Sequence, residues 1–153
     1  MSNSFGSASG VTAIKNKSSA KEGQLLGMYT ERSARAVIDA VLADEKADCI
    51  LVTGDIAADG QPTAYRQLET LLGDAVPSLW LPGNHDDISS QKDQYASHMK
   101  RRLRAQHWDV VMLETQVEGE VGGVLSANEL EALKCAVDEA RAANKALLIA
   151  THH

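Results

Sequence analysis

The sequence predicts an α/β fold with strands buried between helices, and three observations carry that prediction. Short apolar runs rich in β-branched residues alternate with stretches whose apolar residues recur at helical spacing. Turn and cap residues (Gly54-Asp55, Pro62, Gly73-Asp74, Ser126) fall at the junctions. Three of the expected strands end in side chains able to hold a metal or a proton, and ligand sites in such sheets collect just beyond the carboxyl ends of the strands.

Residues 1–24 are rich in Ser, Gly, Lys and Asn and are expected to be disordered, leaving 25–153 as the domain. From Thr30, the positions Ala34, Val37, Ile38, Val41 and Leu42 predict a helix that fades near Ala47. CILVTGD (49–55) has the length and composition of a buried strand. Pro62 is well placed to open a second helix, with Tyr65, Leu68, Leu71 and Leu72 on one face and Gly73 as its stop. VPSLWLPG (76–83) follows as the second strand. A polar helix is expected from Ser89 to Gln106, its stripe on Tyr95, Met99 and Leu103. WDVVMLETQ (108–116) reads as a third strand. Ser126 and Glu129 then form a capping box, with Leu125 and Leu130 as a hydrophobic staple, opening a helix through Leu133, Val137 and Ala140 to about Asn144. ALLIATHH (146–153) is the fourth strand.

Composition narrows the function. The chain's 153 residues suit one domain, and 15 basic against 21 acidic residues (net −6) argue against nucleic acid or an anionic membrane as the partner. The basic group Lys100, Arg101, Arg102 and Arg104 reads as a solvated helix face. Cys49 and Cys135 show no ligand spacing and are expected to be buried free thiols of a reducing cytoplasm. No signal peptide or apolar run of membrane-spanning length is present in the sequence, so a cytoplasmic location is expected.

Taken singly, Gly54-Asp55, the Gly83-Asn84-His85-Asp86 stretch and His152-His153 are ordinary turns or a solvated chain end. Brought together at neighbouring strand ends, they suit a hydrolase with two metals. A carboxylate such as that of Asp55 can bridge two cations, while the amide oxygen of Asn84 and the imidazole of His152 can complete the second metal. His85 would then face the phosphate, stabilising developing charge or protonating the leaving oxygen, with Asp86 orienting it.

GDIAADG and LPGNHDD resemble two block motifs of calcineurin-like metallophosphoesterases, and the strand ending in HH resembles the start of a third. The finer similarity is to the bacterial class III 3′,5′-cyclic-AMP phosphodiesterases, carried by GQLLGMYTERSARAVIDAV, TGDIAADGQPTAYRQL and LETQVEGEVGGVLSANELEAL, from about Gly23 to His153. The resemblance implies a β-sandwich flanked by helices and hydrolysis of cyclic AMP at a pair of divalent metal ions, Fe2+ or Mn2+. It makes Asp55 the bridging ligand, Asn84 and His152 ligands of the second metal, and Asp55, Asn84 and His85 the residues around the substrate phosphate. His152 is preferred over His153 because the ligand normally lies two positions before a proline.

The family also has an Asp-x-His before GQLLG and a later Gly-His-x-His. The positions before GQLLG read AIKNKSSAKEG, without aspartate or histidine. The resemblance therefore leads to the expectation of a domain truncated at both ends, incomplete as a sandwich and inactive or nearly so. Two other outcomes stay open: a related phosphodiester or nucleotide hydrolase, and a remnant that binds nucleotide or a partner without turnover.

Overall fold

A computed structural model describes residues 24–25, 28–43, 47–58, 60–74, 76–87 and 95–153. The expectation of disorder over 1–24 lies outside the described residues except at Gln24, which belongs to a strand. β1 (Gln24–Leu25) and β2 (Met28–Tyr29) form a small antiparallel ladder. α1 (Thr30–Ala43) follows, burying Ala34 and Ile38 four residues apart, with Leu42 packed partly against the same core. Val37 is exposed, so the apolar stripe is narrower than its spacing suggests.

β3 (Ile50–Thr53), α2 (Pro62–Leu72) and β4 (Ser78–Leu81) make a parallel βαβ unit in which Val52 pairs with Trp80 and Thr53 with Leu81. Because Thr53 and Leu81 are partners, the loops after β3 and β4 leave the sheet at the same level. Alternation decides what each face meets. Ile50, Val52 and Trp80 turn to α1 and α2, in one core with Ile38, Tyr65 and Leu68. Leu51, Leu79 and Leu81 turn the other way.

The expected helix from Ser89 to Gln106 is corrected. Residues 89–94 lie outside the described residues; 95–101 form turns and bends; Arg102–Arg104 is a strand, β5. Tyr95, Met99 and Leu103 fit a helical stripe, but tertiary packing overrides that spacing. The Tyr95 ring lies between Tyr65 and Trp80, at centroid distances of 5.7 and 5.4 Å. Leu103 alternates with Arg102 and Arg104 at the period of a strand and packs partly against the core between the sheets. The basic group is likewise no solvated helix face. Arg101 pairs with Glu129, Arg102 with Asp109 at 3.3 Å, and Arg104 with Glu139 at 2.6 Å.

β6 (Trp108–Met112) lies between β5, antiparallel, and β7 (Ala146–Ala150), parallel. The crossover is α3 (Ala127–Ala142), whose cap Ser126 accepts the N–H of Glu129 at 3.2 Å. The other half of the capping box is absent: the Glu129 carboxylate accepts from the N–H of Glu114 and pairs with Arg101 instead. Nor does the staple close, since Leu130 is exposed while Leu125 packs with Val111, Leu113 and Ala136.

Four layers result. Val110, Met112 and Ala150 face Leu51, Leu79 and Leu81 of the first sheet, and Val111 and Leu113 face α3. Two sheets pack face to face, one covered by α1 and α2 and the other by α3, which is a helix-flanked β-sandwich. Trp80 packs against His98 and Tyr95, whereas Trp108 is largely exposed. Cys49 is half-buried but Cys135 is exposed on α3, so the expectation of two buried thiols fails for Cys135. No helix among the described residues is long and apolar enough to cross a membrane.

Candidate functional site

Past β3 the chain turns through two residues of positive φ, Gly54 (100°) and Asp55 (54°). A left-handed aspartate costs roughly 1 kcal/mol and is retained where the surroundings over-determine it. Here the surroundings are crowded. A Cβ on Gly54 would lie 2.3 Å from His152 Nδ1, and one on Gly83 would lie 2.3 Å from the Asp55 backbone nitrogen. The two glycines therefore let the loops after β3 and β4 touch and leave room for the His152 ring between them.

His152 follows β7 and comes from the other sheet. Its Nδ1 lies 2.7 Å from the Thr53 carbonyl oxygen. That oxygen can only accept, so Nδ1 carries a proton, and in the neutral ring Nε2 presents its lone pair. Yet Nε2 faces two further acceptors, Asp55 Oδ1 at 3.3 Å and Asn84 Oδ1 at 3.2 Å. With the ring neutral, three acceptor atoms converge with no proton between them, and the His152 side chain is only 2 % exposed. A cation relieves this arrangement. Adjacent ligands about 2.1 Å from an octahedral metal are about 3.0 Å from one another, close to the separations found. One carboxylate oxygen, one amide oxygen and one imidazole form a mixed donor set suited to a divalent ion.

Among the described residues no three His, Cys, Asp or Glu side chains are grouped as a metal site. A cation at this corner accordingly needs the Asn84 amide. His153 is exposed; its Nε2 lies 3.0 Å from Asn84 Oδ1, and its N–H donates to Thr115 Oγ1 at 3.3 Å. The structure thus brings Asp55, Asn84 and His152 together, with His153 touching Asn84.

His85 is exposed at the rim, its N–H 3.4 Å from Asp55 Oδ1 and its Nδ1 3.2 Å from the Ala58 carbonyl oxygen. Since a carbonyl oxygen only accepts, Nδ1 carries the proton and donates it to Ala58, which leaves Nε2 for a ligand. The Asp86 carboxylate does not hydrogen-bond to the His85 ring, which corrects the orienting contact expected between them. That carboxylate is buried and points away, accepting from the N–H of Ile56 (3.1 Å), Ala57 (2.9 Å) and Gly83 (2.8 Å) and from the Tyr65 hydroxyl (2.7 Å). Asp86 ties one loop to the other.

Sequence reasoning missed two partners of that tie. Tyr65 reads as a core aromatic on α2, although a buried tyrosine needs a partner for its hydroxyl where phenylalanine would not. Burial, and then the neighbouring Asp86 carboxylate, push the Tyr65 phenol well above its ordinary pKa, so it stays a donor. Gln116 carries no pattern signal at all; its Nε2 donates to the Asp86 carbonyl at 2.8 Å.

Comparison with known proteins gives a consistent result. Residues 30–147 match the calcineurin-like phosphoesterase family. The chain is similar to CpdA of Pseudomonas aeruginosa, a 3′,5′-cyclic adenosine monophosphate phosphodiesterase, with 32% identity over 134 residues, 85% of this chain and 48% of that protein. CpdA of Escherichia coli K12 is 34% identical over 139 residues, 87% of this chain and 50% of that protein. A 3′,5′-cyclic-nucleotide phosphodiesterase of Nostoc is 36% identical over 110 residues, 69% of this chain and 41% of that protein. The chain spans about half the length of the curated relatives it matches.

Proposed function

The chain belongs to the calcineurin-like phosphoesterase family, and from that premise we propose that its site is the second-metal and phosphate corner of a phosphodiesterase for 3′,5′-cyclic AMP. The family implies divalent metal ions; the proposal is a pair, of iron or manganese. Asp55 would bridge the pair, Asn84 and His152 would complete the second metal, and Asp55, Asn84 and His85 would surround the phosphate. One observation supports this above the others: buried His152 Nε2 facing the oxygens of Asp55 and Asn84.

Bound there, the metals would polarise the phosphoryl oxygens and supply hydroxide near neutral pH. The chain's own groups bind, orient and move protons. Thr53 fixes the ring of His152 through Nδ1. His85, held at Nδ1 by Ala58, would stabilise the charge developing on the phosphate or supply from Nε2 the proton that the 3′ oxygen takes up as hydroxide displaces it and 5′-AMP forms. Asp86 keeps both loops in place without touching the substrate. A small nucleotide fits a chain of net charge −6 better than nucleic acid or membrane does, and the proposed location is the cytoplasm.

The described donors, one carboxylate, one amide and one imidazole facing each other, suffice for one cation. By itself the 153-residue polypeptide is therefore proposed to bind metal while turning over cyclic AMP slowly or not at all. Calorimetric titration with manganese, beside hydrolysis assays on cyclic AMP, a glycerophosphodiester and an aryl phosphodiester, tests these statements. Binding to the wild type and its loss in His152→Ala are expected. A wild type that binds no manganese overturns the site, and turnover at about 1 s⁻¹ or more overturns the expected inactivity. Residual activity that prefers either other diester would assign the site to a different phosphodiesterase.

A further inference from the structure

Outside the metal-facing atoms, the Asp86 carboxylate gathers four donors at this end of the fold. Its oxygens divide their partners. Oδ2 accepts from Ile56 and Gly83, one residue from each loop. Oδ1 accepts from Ala57 and from the Tyr65 hydroxyl. Three of these donors are backbone groups of the loops themselves, whereas the fourth comes from α2. Tyr65 is held in turn, 1 % exposed, with its ring against Tyr95 at a centroid distance of 5.7 Å. Gln116, from the segment after β6, donates to the Asp86 carbonyl. The two loops that carry Asp55 and Asn84 are thus pinned to a helix that bears none of the proposed ligands.

We propose that Tyr65 is a positioning residue: by donating to Asp86 it holds the loops after β3 and β4 in the relation that brings Asp55 to Asn84 and His152, and so sets how tightly this corner binds a divalent cation. The inference rests on the proposed function for the cation, but the positioning itself belongs to the metal-free chain. Without the hydroxyl, Asp86 Oδ1 keeps only the Ala57 N–H among the partners described, in a buried setting where a carboxylate oxygen is poorly solvated. Relaxation toward better partners then moves the loops, and a shift well under an ångström is enough to loosen a metal site.

Tyr65→Phe removes the one hydroxyl and keeps the ring. The test compares wild type, Tyr65→Phe and Leu68→Ala, the last an α2 core change that removes no hydrogen bond from Asp86. Manganese affinity is read by calorimetry, melting temperature by circular dichroism, and metal-free amide exchange at Ile56, Ala57, Gly83, Val52 and Leu79 by NMR. Tyr65→Phe should weaken manganese binding about 10-fold or more and speed exchange at Ile56, Ala57 and Gly83, leaving Val52 and Leu79 near wild type. Leu68→Ala should lower the melting temperature without weakening manganese binding in the folded protein. Unchanged affinity and loop exchange in Tyr65→Phe overturn the proposal. So does exchange raised equally in loops and strands, which marks a purely structural role. Should the wild type bind no manganese, the proposed function fails, and the exchange data still decide whether Tyr65 positions the loops.

Discussion

Replacing Gly83 by alanine adds one methyl group at the point where the loops meet. Gly83 is not in the left-handed region, so alanine brings no backbone strain and the perturbation is steric. The new Cβ would lie 2.3 Å from the Asp55 nitrogen, 2.5 Å from Asp55 Oδ1 and 2.8 Å from His152 Cε1. Carbon contacts settle near 3.5–4.0 Å, so the loops must part by about 1 Å. Two of the three groups are side chains of the proposed ligands, and the third is backbone two residues beyond the paired strand β3. Over-packing of this kind costs about 1–3 kcal/mol, and rigid backbone on one side argues for the upper end. At about 2–4 °C per kcal/mol for a chain of this size, the melting temperature should fall by about 5–10 °C. Thermal denaturation followed by circular dichroism, paired with manganese titration, reads both effects. Manganese binding should weaken by more than the 10–100-fold typical of groups behind the ligands. Gly122→Ala is the control, because a Cβ there meets nothing within 4 Å. If Gly83→Ala matched that control in stability and still bound manganese like the wild type, the reasoning about this contact would be refuted.

Removing the Ser126 side chain in Ser126→Ala takes away the acceptor of the Glu129 N–H; the loss should be about 1 kcal/mol, read from the urea midpoint, and an unchanged midpoint would show that the cap does not stabilise α3. The two thiols should also separate by chemistry. Burial raises the pKa of Cys49, whereas Cys135 is exposed. At mildly alkaline pH a chromogenic disulfide should therefore react with Cys135 first and with Cys49 in a slower phase. The sign of the linkage follows: as pH rises through the ordinary thiol range, the unfolded Cys49 ionises before the folded one, so its contribution lowers stability at alkaline pH. A single reaction phase would contradict the difference in setting.

Elements with strong local signals were legible in the sequence. Pro62 and Gly73 bracket α2 within a residue of where a helical stripe and its stop predict it, and strand-length apolar runs became β3, β4, β6 and β7. β5 was not legible, because Tyr95, Met99 and Leu103 satisfy a helical period by coincidence while their partners lie far away in sequence. For the same reason the sequence could place Asp55, Asn84 and His152 at strand ends but not tell that Asp86 turns inward. Its four donors come from three separate segments, and no local pattern records them. Tyr65 shows the limit most plainly: its ring obeys the helix period, and only the hydroxyl serves the site.

The contact between His152 Nδ1 and the Thr53 carbonyl joins residues 99 positions apart. Closing so long a loop brings no reward until both sheets exist and have docked, so this corner should be among the last parts of the molecule to form. Cation binding then becomes a clock for assembly. In a refolding experiment, manganese added at different delays should be captured only after the strands have acquired their circular dichroism. Core changes between the sheets, at Leu51 or Met112, should delay capture even though neither residue is among the proposed ligands.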